Sequence, residues 1–175
     1  MTEYACYACH GLGFIQPIDQ LTRWLNVHTP NGIHFNAVGG SDPMLEEASI
    51  RASIEADLKA GRQLIFIGHS KGAMLAYYLG YPAPLAVAID PTDWGSNIDC
   101  AEWTLTPPQP GQWRVPANVG RWINFHQSGY PGGGVLANPS DAAQDHFFPD
   151  CNHMTIPTDP RTMQIIHDAI LQVIS

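Results

Sequence analysis

Short apolar runs, each closed by Gly, Pro, Asn or Asp, alternate along this chain with stretches whose apolar residues recur every three or four positions. The first period belongs to buried strands and the second to amphipathic helices. Tyr4 to Cys9 reads as a strand ending in His10-Gly11-Leu12-Gly13. Pro17 to Val27 follows as a helix with Ile18, Leu21, Trp24 and Leu25 on one face. Ile33 to Val38 is the second strand, closed by Gly39-Gly40. Pro43 to Ala60 then reads as a long helix, capped by Ser41 or Asp42, with Pro43 in its first turn and Gly61 as its stop. Leu64-Ile65-Phe66-Ile67 is apolar throughout, as a strand covered on both faces must be, so it belongs near the centre of a sheet.

Helical pattern resumes from Ser70 to Leu79, and Leu85 to Ile89 is a further apolar strand, closed by Asp90-Pro91. From there to Pro116 the chain shows no period and reads as an excursion across the surface. Trp122 to His126 is the last strand expected. A Gly-rich loop, Gly129 to Gly134, and an irregular stretch lead to a closing helix from Arg161 to Ile174, with Met163, Ile166, Ile170 and Val173 inward. Strands alternating with helices predict an α/β protein, a three-layer sandwich around a mostly parallel sheet of about five strands with four main helices. The excursion and the late loop both leave the C-terminal ends of strands, where open α/β sheets place their sites.

A chain of 175 residues, 45% hydrophobic, supports one domain with a substantial core, so residues 1–175 are expected to form a single domain. Only 14% of residues are charged and the formal net charge is -8; the basic residues form no run, which argues against nucleic acid as a partner. Met-Thr-Glu-Tyr-Ala-Cys lacks the basic start and apolar stretch of a secretory signal, and no segment is long enough to span a bilayer. The expectation is a soluble cytoplasmic protein, with Cys6, Cys9, Cys100 and Cys151 as reduced thiols; in a secreted form, Cys100 with Cys151 is the pair to test for a bridge.

The chemistry concentrates at Gly68-His69-Ser70-Lys71-Gly72, a G-x-S-x-G segment directly after an apolar strand and at the opening of a helix. A serine on so sharp a turn needs small neighbours two positions away on each side, to keep the strained backbone clear of the adjoining strand and helix. Leu64 to Gly72 therefore resembles the nucleophile elbow of the α/β-hydrolase superfamily, as in lipases, esterases and cutinases, and here in a minimal version. His10-Gly11-Leu12-Gly13 is similar to the family's oxyanion loop. The resemblance implies Ser70 as nucleophile, with the backbone N–H groups of Leu12 and Lys71 aimed at the oxygen that becomes negative in the tetrahedral intermediate.

Family order puts the acid and then the histidine after the serine. Of the histidines that follow Ser70, His153 in Asn152-His153-Met154-Thr155-Ile156-Pro157 lies just before the last helix, where the family's base usually falls. His146 in the same late loop is the rival, and His167 reads as structural. Asp90 resembles the strand-ending acid of some lipases, able to accept the histidine's Nδ1–H and fix its tautomer. Cutinase-like relatives take the acid from the late loop instead, a description that Asp141, Asp145 and Asp150 meet.

Cys6-Tyr7-Ala8-Cys9-His10 also spells the C-x-x-C-H of c-type haem attachment. On a strand its two cysteines point to opposite faces, which suits neither one haem nor one zinc. No cofactor and no metal is therefore expected. Trp94, Trp103, Trp113 and Trp122, with Tyr130, Phe147 and Phe148, either wall an apolar pocket or plug a small core. The resemblance implies a serine hydrolase acting through an acyl-enzyme on a small ester with an apolar acyl group. A thioesterase or acyltransferase with the same triad, and an inactive binding protein on the same scaffold, stand as alternatives.

Overall fold

The computed structural model describes residues 2–11, 17–30, 33–39, 46–73, 79–91, 117–128 and 143–175. Among them, the strands are β1 (Tyr4–Cys9), β2 (Ile33–Val38), β3 (Gln63–His69), β4 (Leu85–Ile89), β5 (Trp122–His126) and β6 (Ala143–Phe147). They form one sheet in the order β2-β1-β3-β4-β5-β6, with every neighbouring pair parallel. Three α-helices flank it, α1 (Pro17–His28), α2 (Glu47–Lys59) and α3 (Pro160–Ile174), and a short 3₁₀ turn, Ile156–Thr158, precedes the last of them. Lys71, Gly72, Ala73 and Leu79 are also helical, so a helix opens directly behind β3.

Alternation along each strand splits the core into two layers. Tyr7, Cys9, Leu64, Phe66, Ala86, Ala88 and Trp122 cover one face of the sheet together with Ile50 and Ile54 of α2 and Ala73 behind β3. Cys6, Ala8, Ile65, Ile67, Val87, Ile89, Ile123 and Phe125 cover the other with Ile18, Leu21 and Leu25 of α1 and Ile166 and Ile170 of α3. Helices on both faces of a parallel sheet make the expected three-layer sandwich. Cys6 and Cys9 fall in opposite layers as free, fully buried thiols, and burial pushes the Cys9 thiol up to about 12. Cys151 is likewise a free thiol, while Cys100 lies outside the described residues.

The sheet departs from the sequence reading at its far edge. Six strands are present rather than about five, and Trp122–His126 is not the last: Ala143-Gln144-Asp145-His146-Phe147 pairs with it from Trp122↔Ala143 to His126↔Phe147. This segment is polar and short of β-branched residues, so only its pairing with an apolar neighbour makes it a strand. The start of α2 also differs. Helix is found from Glu47, with Glu46 at the N-cap making no side-chain cap bond, whereas Ser41, Asp42 and Pro43 lie outside the described residues. Its expected end is present, with Gly61 in the left-handed region at φ 81. No helix among the described residues is long and apolar enough to cross a membrane.

Candidate active site

At the C-terminal edge of the central strands the chain makes two unusual turns. Ser70, between the end of β3 and the helix opening at Lys71, has φ 57, and Asp90, just beyond β4, has φ 43. A non-glycine residue at positive φ is strained and must be held by its surroundings. Ser70 is held by its N–H, which donates to the Ile89 carbonyl at 2.9 Å, and Asp90 by its own N–H to the Phe125 carbonyl at 2.7 Å. Adjacent parallel strands thus tie both turns into the sheet.

Close packing explains the small residues around Ser70. A methyl group on Gly68 would overlap Ala73 and Gly72, and one on Gly72 would overlap the carbonyls of Cys9 and His10. A methyl group on Gly11 would lie 2.8 Å from the Ser70 Cβ and 3.3 Å from its Oγ. Gly11 therefore lies against the serine, and the segment after β1 meets the elbow there. Lys71 is buried directly after Ser70; Leu12 lies outside the described residues. Because Gly72 is opposed by backbone rather than by a movable side chain, Gly72→Ala is expected to destabilise the fold by about 1–3 kcal/mol. Urea unfolding measures this, and an unchanged midpoint would contradict the contact.

His153 is presented by a turn that the sequence builds locally. Asn152 Oδ1 accepts the N–H groups of Met154 and Thr155, at 2.9 and 3.1 Å, and the buried Ile156 and Pro157 then anchor the chain to the core. Asp159 caps α3 by accepting the Arg161 N–H at 2.9 Å. From this turn the His153 Nδ1–H donates to Asp90 Oδ2 at 2.7 Å, and the same oxygen accepts from Gln127 Nε2 at 2.8 Å. Asp90 is fully buried. The bond at Nδ1 leaves the lone pair of the neutral His153 ring on Nε2, the form of imidazole that can take a proton. The ring also lies beside the elbow, because His69, the residue before Ser70, faces it with ring centroids 4.5 Å apart.

The competing residues have other partners. Asp145 accepts from Asn124 Nδ2 at 2.7 Å and lies 3.4 Å from His126 Nε2. Burial raises its pKa, but those two bonds outweigh burial and hold it below the usual carboxylate range. Asp150 is exposed and paired with Arg161 at 2.9 Å. Asp141 lies outside the described residues. His146 is not in a loop but in β6, stacked on Phe125 at 5.1 Å, and its burial favours the neutral ring. His167 donates from Nε2 to the His28 carbonyl at 2.9 Å, joining α3 to α1. Among the described residues no group of three or more His, Cys, Asp or Glu is arranged to hold a metal ion. Trp122 is core, whereas Phe147 is half exposed; Trp94, Trp103, Trp113 and Tyr130 lie outside the described residues.

Sequence reasoning missed Gln127 and the side chain of His69. Gln127 follows the end of β5 without a motif, and its role depends on β5 lying next to β4. His69 occupies a position that the G-x-S-x-G pattern leaves open.

No protein-family model matches the chain, and no curated protein sequence matches it. Solved structures do. Over 98% of its length the chain superimposes on 89% of the Thermus thermophilus protein TT1662, with a TM-score of 0.63 and 15% identity. Acetylxylan esterase is similar over 99% of both chains, with a TM-score of 0.58 and 8% identity. A cutinase-like protein from Cryptococcus sp. matches over 98% of this chain and 94% of its own, with a TM-score of 0.53 and 14% identity. The chain has the α/β-hydrolase fold.

Proposed function

We propose that this protein, on its α/β-hydrolase fold, is a serine hydrolase that cleaves small carboxylic esters through an acyl-enzyme, with Ser70 as nucleophile, His153 as base and Asp90 as acid. The observation that carries the reading is the 2.7 Å bond from His153 Nδ1 to the buried carboxylate of Asp90, beside a serine held at φ 57. His153 takes the hydroxyl proton as Ser70 attacks the ester carbonyl. Asp90 holds the ring and stabilises the imidazolium that forms, and His153 then returns the proton to the leaving alcohol. Water attacks the acyl-enzyme with the same residues in the same roles. The nearness of Gly11 to Ser70 supports an oxyanion site between the segment after β1 and the helix opening at Lys71, with the Leu12 and Lys71 N–H groups as its donors. Acetylxylan esterase and a cutinase-like protein among the similar folds support an ester as substrate. An apolar acyl group remains the preferred form of it.

A fluorophosphonate probe tests the reading, since it labels only an activated serine. Modification mapped to Ser70, lost in His153→Ala and retained in His146→Ala, is the expected result. A folded protein that the probe leaves unmodified would overturn the reading, and labelling that depends on His146 rather than His153 would reassign the base.

A further inference from the structure

We infer that His69 is a positioning residue for His153: its ring N–H holds the main chain of the base loop while its face lies against the base itself. His69 is the last residue of β3, at the centre of the sheet, and only 2% of its surface is exposed. Its Nε2 lies 2.8 Å from the His153 carbonyl oxygen; a carbonyl only accepts, so Nε2 carries the proton. The two rings are 4.5 Å apart and inclined by 34°. This inference rests on the reading of Ser70, His153 and Asp90 as a triad.

His153 needs a second point of attachment. The bond to Asp90 fixes one ring atom, yet a turn hanging from one side-chain bond can still swing, carrying its imidazole away from Ser70. His69 grips the same residue by its backbone from the strand that ends at the serine. Asp90 on β4 and His69 on β3 thus hold His153 from adjacent strands, referring the base directly to the elbow. Reaction geometry is sensitive to such supports, a shift of about 1 Å costing up to about 100-fold in rate.

His69 is also suited to the task because it stays neutral. Burial, and next the neighbouring His153, lower its pKa to about 3, and the ionisable groups that face it are His153, Asp90 and His10. A cationic ring in this place would oppose the positive charge that His153 acquires during catalysis. The His69 Nδ1 is buried and makes no hydrogen bond, so its ring is anchored through Nε2 alone.

The test compares variants of the full chain, with 4-nitrophenyl butyrate as substrate and a fluorophosphonate to count active sites. His69→Phe keeps an aromatic face but cannot donate. Its kcat per labelled site is expected to fall by about 10- to 100-fold with KM nearly unchanged. The acid limb of its rate profile should move to lower pH, because a loosened Asp90 contact stabilises the imidazolium less. His69→Gln, whose amide reaches the carbonyl, should recover most of kcat and the wild-type profile. His69→Asn, smaller than histidine and too short to reach, should behave like His69→Phe and decides the matter if the larger ring does not fold. Wild-type kcat in a folded His69→Phe or His69→Asn would overturn the inference, as would a Gln variant no better than these. Wild-type protein that is not labelled at Ser70 would instead remove the triad reading, and the inference with it.

Discussion

Replacing Ser70 by alanine is expected to lower kcat for an activated ester by about four to six powers of ten while leaving the fold intact. The hydroxyl is the only part of the side chain that the proposed chemistry uses, and alanine keeps the Cβ that lies against Gly11. The backbone contact that holds the turn, from the Ser70 N–H to the Ile89 carbonyl, does not involve the side chain. Alanine must still adopt φ 57, so a small loss of stability accompanies the change and is read separately by thermal unfolding. Retention of about a tenth of wild-type turnover in folded protein would remove Ser70 from the role of nucleophile, since loss of a triad member costs far more than that.

The second large effect is expected at Asp90, where Asp90→Asn should lower turnover by about four powers of ten. Its carboxylate is fully buried and accepts from both His153 and Gln127 through one oxygen. The neutral amide lacks the charge that stabilises the imidazolium, and an amide N–H turned toward His153 would hold the ring in the tautomer that cannot accept the serine proton. Shape is conserved and a buried charge is removed, so folding should survive, which circular dichroism checks. Asp145→Asn and Asp150→Asn should be mild in comparison, because these carboxylates engage Asn124 with His126 and Arg161 respectively. A folded, active Asp90→Asn protein together with a severe Asp141→Asn would move the acid to the late loop.

Much of this arrangement is legible in the chain because its signals are local. Five strand positions and the closing helix follow from runs and periods within single segments. The G-x-S-x-G spacing follows from contacts between residues near in sequence, such as Gly68 against Ala73, although Gly72 meets Cys9 and His10 from another strand. Asn152 and Asp159 form their turn and cap with residues two or three positions away, which is why the loop before the last helix could be recognised. Sixth-strand pairing was not legible. Gln144 and Asp145 gain their strand conformation from Ile123 and Asn124, and nothing in their own side chains announces it.

By itself the sequence determined the alternation of strand and helix, and with it a parallel sheet covered on both faces, because burial writes its period directly into the residues. It also determined where a nucleophile could stand, since strain at one serine demands small residues at fixed distances. The choice among acids was decided only by tertiary structure. Four aspartates follow Ser70 at acceptable places, and the bond that distinguishes Asp90 joins it to a residue 63 positions later. The same holds for Gln127, 37 positions from Asp90, and for His69, 84 positions from the carbonyl it holds. A hydrogen bond depends on distance and direction in space, and between segments this far apart those are set by the order of strands in the sheet, which no local pattern encodes.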